Sequence, residues 1–282
     1  MRKRIVFSES DTKDIIERYK AGESRFSIAN SKKVTHKVID GLLKRNGIQP
    51  VNALKKNFYN EHIFDEINTA EKAYWLGFIL ADGYLHEKRH FLRIKLTDND
   101  RGHLMKFAKF IGARPEAVKT EYHNVTGNPL CKIEVSNKPI AESLYKLGIR
   151  QGKSTKEKVS DIPKEFIRDY IRGIVDGDGS IRPDGTGISV NNSREVLSYI
   201  RDVFMFMFKT ATVKVREHCN TWKIEFRAKL CVKGILEYLY YDGCIALDRK
   251  YALAKAICRP ETSSQKSLDD ENGIKLGCRK AS

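Results

Sequence analysis

Apolar and polar positions along this chain follow two rhythms, and the places where one gives way to the other divide it into segments. From Asp11 to Lys20, Ile15, Ile16 and Tyr19 recur at helical spacing. Ala21-Gly22-Glu23-Ser24 breaks that helix, and Ser24 can cap a second short one carrying Phe26, Ile28 and Ala29. Asn30 to Val34 reads as a turn. Thr35 can cap a third helix, with Val38, Ile39, Leu42 and Leu43 inward and a stop at Asn46-Gly47. Residues 51–68 hold no sustained period and read as a polar connector, with Phe58, Tyr59 and Phe64 scattered through it. Asn68, with Glu71 three positions on, suits the cap of the helix that follows.

Beyond Asn68 the period alternates between 3.6 and 2. An apolar helix ends at Asp82-Gly83, and a hairpin follows over Tyr84–His86 and Phe91–Thr97. In its second strand Leu92, Ile94 and Leu96 face one way and Phe91, Arg93, Lys95 and Thr97 the other. A helix from Asp98 or Asn99 to Gly112 comes next, then strands over Ala117–Tyr122 and Leu130–Ser136, then a helix over Pro139–Leu147. The order is helix, two strands, helix, two strands, helix. The same order recurs: a helix ending at Asp178-Gly179, strands at Ile181–Arg182 and Ile188–Val190, a helix over Ser193–Phe208, strands at Thr212–Glu217 and Trp222–Arg227, and a helix over Leu230–Tyr241. Lys132-Ile133-Glu134-Val135 answers Lys223-Ile224-Glu225-Phe226. The pattern predicts an α+β fold of two αββαββα repeats behind a small all-α unit. Each repeat offers a four-stranded antiparallel sheet with one apolar face for helices and one polar, basic face.

The two segments that open the repeats are nearly one segment written twice. Tyr74-Trp75-Leu76-Gly77-Phe78-Ile79-Leu80-Ala81-Asp82-Gly83 is matched by Tyr170-Ile171-Arg172-Gly173-Ile174-Val175-Asp176-Gly177-Asp178-Gly179, 96 positions on (178 − 82). Gly77 and Ala81 share a helix face, as do Gly173 and Gly177, and small residues at that spacing let two backbones approach closely. Gly83 and Gly179 suit left-handed caps. Asp82 and Asp178 then stand at helix C-termini, where the macrodipole disfavours an anion. Two such carboxylates near one another call for a cation, and a divalent ion with oxygen ligands, Mg²⁺ (or Mn²⁺), answers this. The stretch Asp176-x-Asp178-Gly179 also echoes part of a calcium loop. In that register Ile174 would fill the first ligand position and Gly185 the last, where Glu is required, so that reading fails.

Composition changes the picture in one respect. The 282 residues include 52 Lys and Arg against 36 Asp and Glu, a net charge of +16, which points to a polyanionic partner, most often nucleic acid. Apolar runs such as Ala73–Ala81 and Val203–Phe208 fall short of the ~20 residues that cross a membrane. After Met1-Arg2-Lys3-Arg4 only Ile5, Val6 and Phe7 are apolar, short of the ~7 of a signal peptide. A cytoplasmic location is expected, with an organelle as the other possibility. The cysteines (Cys131, Cys219, Cys231, Cys244, Cys258 and Cys278) form no Cys-x-x-Cys pair and read as reduced thiols rather than a zinc site.

On these residues the chain resembles the LAGLIDADG homing endonucleases in their two-repeat, single-chain form, over roughly Phe64 to Ile257. The second copy, through Asp176-Gly177-Asp178-Gly179-Ser180-Ile181, is the closer match. The first departs at Leu80, where the second carries Asp176. The resemblance implies that Asp82 and Asp178 are the catalytic metal ligands. It also implies that a basic strand residue serves each site, which falls on Lys132 and Lys223. Asn192 and Asp98 would hold solvent near the metal, and Arg249-Lys250, after the last helix, resembles a basic spot common in the family. The two sheets would form a saddle straddling a duplex, with Arg93, Lys95, Arg182, Lys214, Arg216 and Arg227 toward groove and phosphates. The three N-terminal helices resemble the helix-turn-helix of resolvases. Thr35, His36, Lys37, Asp40 and Lys44 would face the major groove, with Lys32 and Lys33 near phosphates.

The expected organisation is a helix-turn-helix domain at 1–50, a linker at 51–68, repeats at 69–150 and 151–258, and a disordered polar tail at 259–282. The joint at 150–160 reads as a surface linker. The expected function is metal-dependent cleavage of both strands of a long, pseudo-palindromic DNA target by a monomer that is an internal pseudo-dimer. The alternative is a non-cleaving DNA-binding regulator or an RNA splicing maturase on the same scaffold. An intein is disfavoured, since the chain lacks a starting Cys or Ser and a closing His-Asn.

Overall fold

The structure, a computed structural model, describes residues 5, 7–21, 23–48, 59–150, 159–208 and 213–259. It divides into two compact units, Met1–Phe58 and Tyr59–Ser282.

The first unit is three helices: α1 (Glu9–Lys20), α2 (Arg25–Ser31) and α3 (His36–Arg45). Ser8 and Ser24 accept the backbone N–H of Asp11 and Ser27 as N-caps. Thr35 takes the N-cap position of α3 in extended conformation, but its side chain accepts no capping bond. Ile15, Ile28, Ala29, Ile39, Leu42 and Leu43 form a small separate core, as the helical spacing predicted, whereas Val38 is only half-buried and Phe26 is exposed. Arg25, 5% exposed, pairs with Asp40 at 2.9 Å and ties α2 to α3. Asp40 is therefore a structural anion of this unit rather than a group offered to a groove.

The second unit repeats one plan. Its first half is α4 (Ala70–Asp82), β1 (Gly83–His86), β2 (Phe91–Thr97), α5 (Arg101–Phe110), β3 (Lys119–Tyr122), β4 (Pro129–Ser136) and α6 (Lys138–Lys146). Its second half is α7 (Ile167–Asp178), β5 (Gly179–Ile181), β6 (Gly187–Asn192), α8 (Arg194–Phe208), β7 (Arg216–His218), β8 (Thr221–Arg227) and α9 (Lys229–Leu239). A further helix, α10 (Asp248–Cys258), closes the described chain. The sheets are antiparallel with the same strand order, β1-β2-β4-β3 and β5-β6-β8-β7. Leu92, Ile94, Ile133 and Val135 of the first sheet and Ile188, Val190, Ile224 and Phe226 of the second lie on the buried face, and one core runs through both halves.

Three details differ from the sequence reading. Thr69 rather than Asn68 caps α4, accepting from the Lys72 N–H. The connector is not a loose linker from Tyr59 onward. Phe64 is fully buried with its ring edge-on to Phe110 at 5.7 Å, and Ser143 donates to Asp65 at 2.6 Å. Residues 51–58 of that connector, 151–158 of the joint and 260–282 of the tail lie outside the described residues. Finally, α10 was unforeseen: the polar pattern hid a helix that buries Lys250 and Ala254. No described helix is long and apolar enough to cross a membrane.

Candidate functional site

Helices α4 and α7 meet backbone to backbone. A Cβ on Gly77 would lie 2.1 Å from the Tyr170 carbonyl oxygen, and one on Gly173 would lie 2.1 Å from that of Tyr74. Gly77 and Gly173 are the matched residues of the two repeats, and so are Tyr74 and Tyr170. The contact is thus reciprocal, as across a twofold axis. One turn on, a Cβ on Gly177 would lie 2.3 Å from the Ala81 Cβ and 3.2 Å from Asp82 Oδ2. Any side chain larger than hydrogen at these glycines would push the helices apart. The same contact sets the Asp82 carboxylate against the residue preceding Asp178, and both acids stand at the C-terminal ends of the packed helices. Both are half-buried.

The glycines after the acids work differently from expectation. Gly83 (φ −73°, ψ 147°) and Gly179 (φ −92°, ψ 158°) are extended, not left-handed. They let the chain pass straight from helix into β1 and β5. A Cβ there would strike the Ile79 oxygen at 2.5 Å or the Val175 oxygen at 2.4 Å, so space rather than φ requires glycine.

Lys250 is a cation that stands beside these acids. Only 4% exposed, it donates to the carbonyls of Val175 and Asp176 at 2.7 Å and of Gly179 at 2.6 Å. All three ammonium protons are satisfied, at the helix terminus where a positive charge is favoured. Burial pushes its pKa down to about 8, while the negative charges of Asp176, Asp82 and Asp178 oppose the fall. Lys250 sits inside α10, not after the last helix. Its sequence signal was Leu247, Tyr251 and Ala254 at helical spacing behind Asp248. Asn192, at the end of β6, donates to Asp178 Oδ2 at 2.6 Å and stands where expected. Asp98 does not mirror it: it pairs with Arg101 at 2.7 Å, and the strand registers match Asn192 to Leu96.

A buried polar network supports this end of α7. Asp176, 1% exposed, accepts the Tyr74 hydroxyl, the Tyr240 hydroxyl and the Leu247 N–H, each at 2.7 Å. Burial raises its pKa, and Lys250 and these hydrogen bonds oppose the rise. Since Tyr74 donates to Asp176, it accepts from His103 Nε2 at 2.9 Å, which puts the imidazole proton on Nε2. Burial pushes the histidine pKa down to about 3. Arg172 donates to Ile245 O at 2.8 Å, Leu239 O at 3.0 Å and Asp169 Oδ1 at 2.8 Å. Through these bonds α7 holds the segment that delivers α10.

The strand lysines Lys132 and Lys223 lie on the outward faces of β4 and β8. Lys132 is paired with Glu121 at 2.5 Å, and Lys95 pairs with the same carboxylate at 2.8 Å. Arg93 pairs with Glu134 at 2.6 Å, and Arg182 and Arg227 both pair with Glu225 at 3.0 Å. Lys223 lines an open cavity of about 960 Å³ on the second sheet with Lys214, Arg216 and Arg227. In the first unit Lys33, Thr35, Lys37 and Lys44 are exposed, and His36 rests on Phe26 at 4.7 Å. Lys32 is engaged internally, with Asp11 at 2.8 Å and Asp14 at 2.9 Å.

Cys131, Cys219, Cys231, Cys244 and Cys258 are free thiols. No group of three or more His, Cys, Asp or Glu converges as a metal site among the described residues. A cation held between Asp82 and Asp178 would therefore complete its shell with water and phosphate oxygens. That is the ordinary habit of Mg²⁺, which takes one or two carboxylates and leaves the rest to substrate, so the donor set fits.

No family model matches the chain, and no curated protein does. Several solved structures superpose on it in part. Full-length DUF199/WhiA from Thermatoga maritima is 17% identical, covering 77% of this chain and 72% of that one, at a TM-score of 0.46. The homing endonuclease I-WcaI bound to its DNA recognition sequence is 14% identical, over 77% of this chain and 94% of that one, at 0.44. The LAGLIDADG meganuclease I-AabMI bound to uncleaved DNA is 10% identical, over 71% and 91%, at 0.43. These superpositions are partial, and the α+β fold rests on the elements and registers described above.

Proposed function

We propose that this chain is a site-specific, metal-dependent DNA endonuclease that cuts both strands of a long, pseudo-palindromic duplex. The observation that carries the reading is the reciprocal glycine contact of α4 and α7, which brings Asp82 and Asp178 to one end of the helix pair. Magnesium or manganese, when bound there, supplies charge neutralisation at the phosphodiester and an activated water. Asp82 and Asp178 hold the ion. Asn192 fixes the orientation of Asp178. Lys250 locks the last turn of α7 and sets its positive charge beside the two acids, offsetting part of theirs. The outward sheet faces bind the duplex, with Lys214, Arg216 and Lys223 as phosphate and groove contacts. The first unit adds flanking contacts through Lys33, Thr35, Lys37 and Lys44. On this reading the cut crosses the minor groove and leaves short 3′ overhangs. The protein works as a monomer in the cytoplasm, its two repeats serving as an internal dimer.

A second reading has its own observation. Lys250 already supplies a buried cation beside both acids, which a non-cleaving DNA-binding regulator could use in place of a metal. The separating experiment incubates the full chain and Mg²⁺ with a randomised duplex library. Endonuclease activity yields cut, enriched sites, and Asp82→Asn and Asp178→Asn each reduce double-strand breaks by roughly 10²-fold or more. Enriched duplexes that all stay intact would establish the regulator instead.

A further inference from the structure

The two sheets expose different chemistry on the faces turned away from the core. Gly83 pairs with Ile94 and Gly179 with Val190, so their registers align position by position. Tyr84 then corresponds to Ser180, His86 to Arg182, Phe91 to Gly187, Arg93 to Ser189 and Lys95 to Asn191. On the first sheet, rings gather. Tyr84 and His86 lie 6.4 Å apart, Tyr84 and Phe91 6.1 Å, and His86 and Phe91 5.3 Å. The Arg93 guanidinium covers the rings of Phe91 at 5.4 Å and Tyr84 at 5.9 Å, and its charge is tied to Glu134. Tyr84 is still 38% exposed. None of these rings serves the core, which takes Leu85, Leu92 and Ile94 on the other face. The corresponding face of the second sheet shows exposed Ser180 and Asn191, half-buried Ser189, and the basic cavity.

A ring cluster kept on an outward face signals a contact surface. In the major groove of a duplex the apolar feature is the thymine C5-methyl, which apolar side chains read, whereas hydroxyls and amides read donors and acceptors. Arg93 lies over Tyr84 and Phe91, which leaves ring edges to meet a ligand. Edges suit methyl groups better than they suit stacking on unpaired bases. Resting on the proposed function, we infer that the half-site bound by the first repeat is read through thymine methyls by Tyr84, His86 and Phe91. The half-site bound by the second repeat is read by hydrogen bonds from Ser180, Ser189 and Asn191.

The test selects duplexes from a randomised library with the full chain and Ca²⁺ in place of Mg²⁺, then replaces thymine by deoxyuridine in one half at a time. Only the methyl groups change. Native protein is expected to lose about fourfold in affinity per contacted methyl in one half, and under about 1.5-fold in the other. The double variant Tyr84→Ser/Phe91→Ser loses that sensitivity while keeping its preference in the opposite half. Equal tolerance of deoxyuridine in both halves, by native protein that still selects a site, overturns the inference and leaves the proposed function standing. Failure to select any duplex defeats the proposed function first. Selective retention of single-stranded RNA over duplex overturns the inference in favour of base stacking.

Discussion

The two helices that build the site share glycines and terminal acids but differ along their flanks. Helix α4 is buried and uncharged from Ala73 through Ala81. Helix α7 carries Asp169, Arg172 and Asp176, all buried, at positions matching Ala73, Leu76 and Leu80. The difference follows from what each must hold. Helix α4 packs against apolar side chains and rings. Helix α7 must also anchor the segment from Leu239 to Leu247, whose free backbone groups need partners. The second repeat thus carries the groups that receive α10, and with it Lys250, while the terminal acids are equivalent.

The largest effects are expected at the features the helices share. Gly173→Val places carbon where the Tyr74 carbonyl oxygen stands, and backbone cannot yield as a side-chain end can. A loss of more than about 3 kcal/mol, or failure to fold, is expected in denaturant unfolding. Gly41→Ala in α3 is the control: its new Cβ meets only the mobile end of Arg45 at 3.4 Å. That change is expected to stabilise by roughly 0.5 kcal/mol or more through helix propensity.

Where the helices differ, exchange sharpens the point. Asp176→Leu copies the first repeat into the second and strands two tyrosine hydroxyls and the Leu247 N–H. A cost of about 3 kcal/mol is expected, with α10 the first segment to gain amide exchange. If Asp176→Leu is neutral while α10 stays protected, the anchoring account is wrong.

His103 tests the same network by pH. Above about pH 6.5 the imidazole is neutral in folded and unfolded chains. Below it only the unfolded chain takes the proton, because burial holds the folded pKa near the value of about 3. Stability is therefore present above pH 6.5 and is lost as pH falls toward 3. By two units below 6.5 the loss is roughly 2–3 kcal/mol. In His103→Phe this part of the slope disappears, measurable by denaturant midpoints across the range.

The smallest effect belongs to the exposed pair Lys106–Asp248, at 2.6 Å between α5 and α10. Asp248→Ala is expected to cost less than about 1 kcal/mol, and less still in high salt. A larger loss would mean that α10 is held mainly from the first repeat rather than by α7.

Much of this was legible in the sequence, for local reasons. Period-2 alternation in Phe91–Thr97 and helical spacing in Ile39, Leu42 and Leu43 record which face is buried, so the element order and the repeat could be read directly. The glycine pairs and Asp82 and Asp178 carried their own meaning because spacing along a helix fixes a face. What escaped depends on partners distant in the chain. Arg172 and Asp176 look like surface charges until Tyr240, Ile245 and Leu247, about 70 positions on, reach them. Helix α10 was missed because its charged residues mask a short apolar stripe, and Lys250 was read as a basic spot beyond the last helix. The same limit hid the ion pair of Lys132, whose carboxylate partner lies on the neighbouring strand.

The claim on which all this turns is that Asp82 and Asp178 serve one cation site. Manganese electron paramagnetic resonance on the full chain with a selected duplex measures it most directly, using the native protein, Asp82→Asn, Asp178→Asn and the double variant. The account predicts bound Mn²⁺ in the native complex, weakened in each single variant. The double variant should lose less than the sum of the two, as for groups sharing a ligand. Manganese held equally well by all four proteins would contradict it.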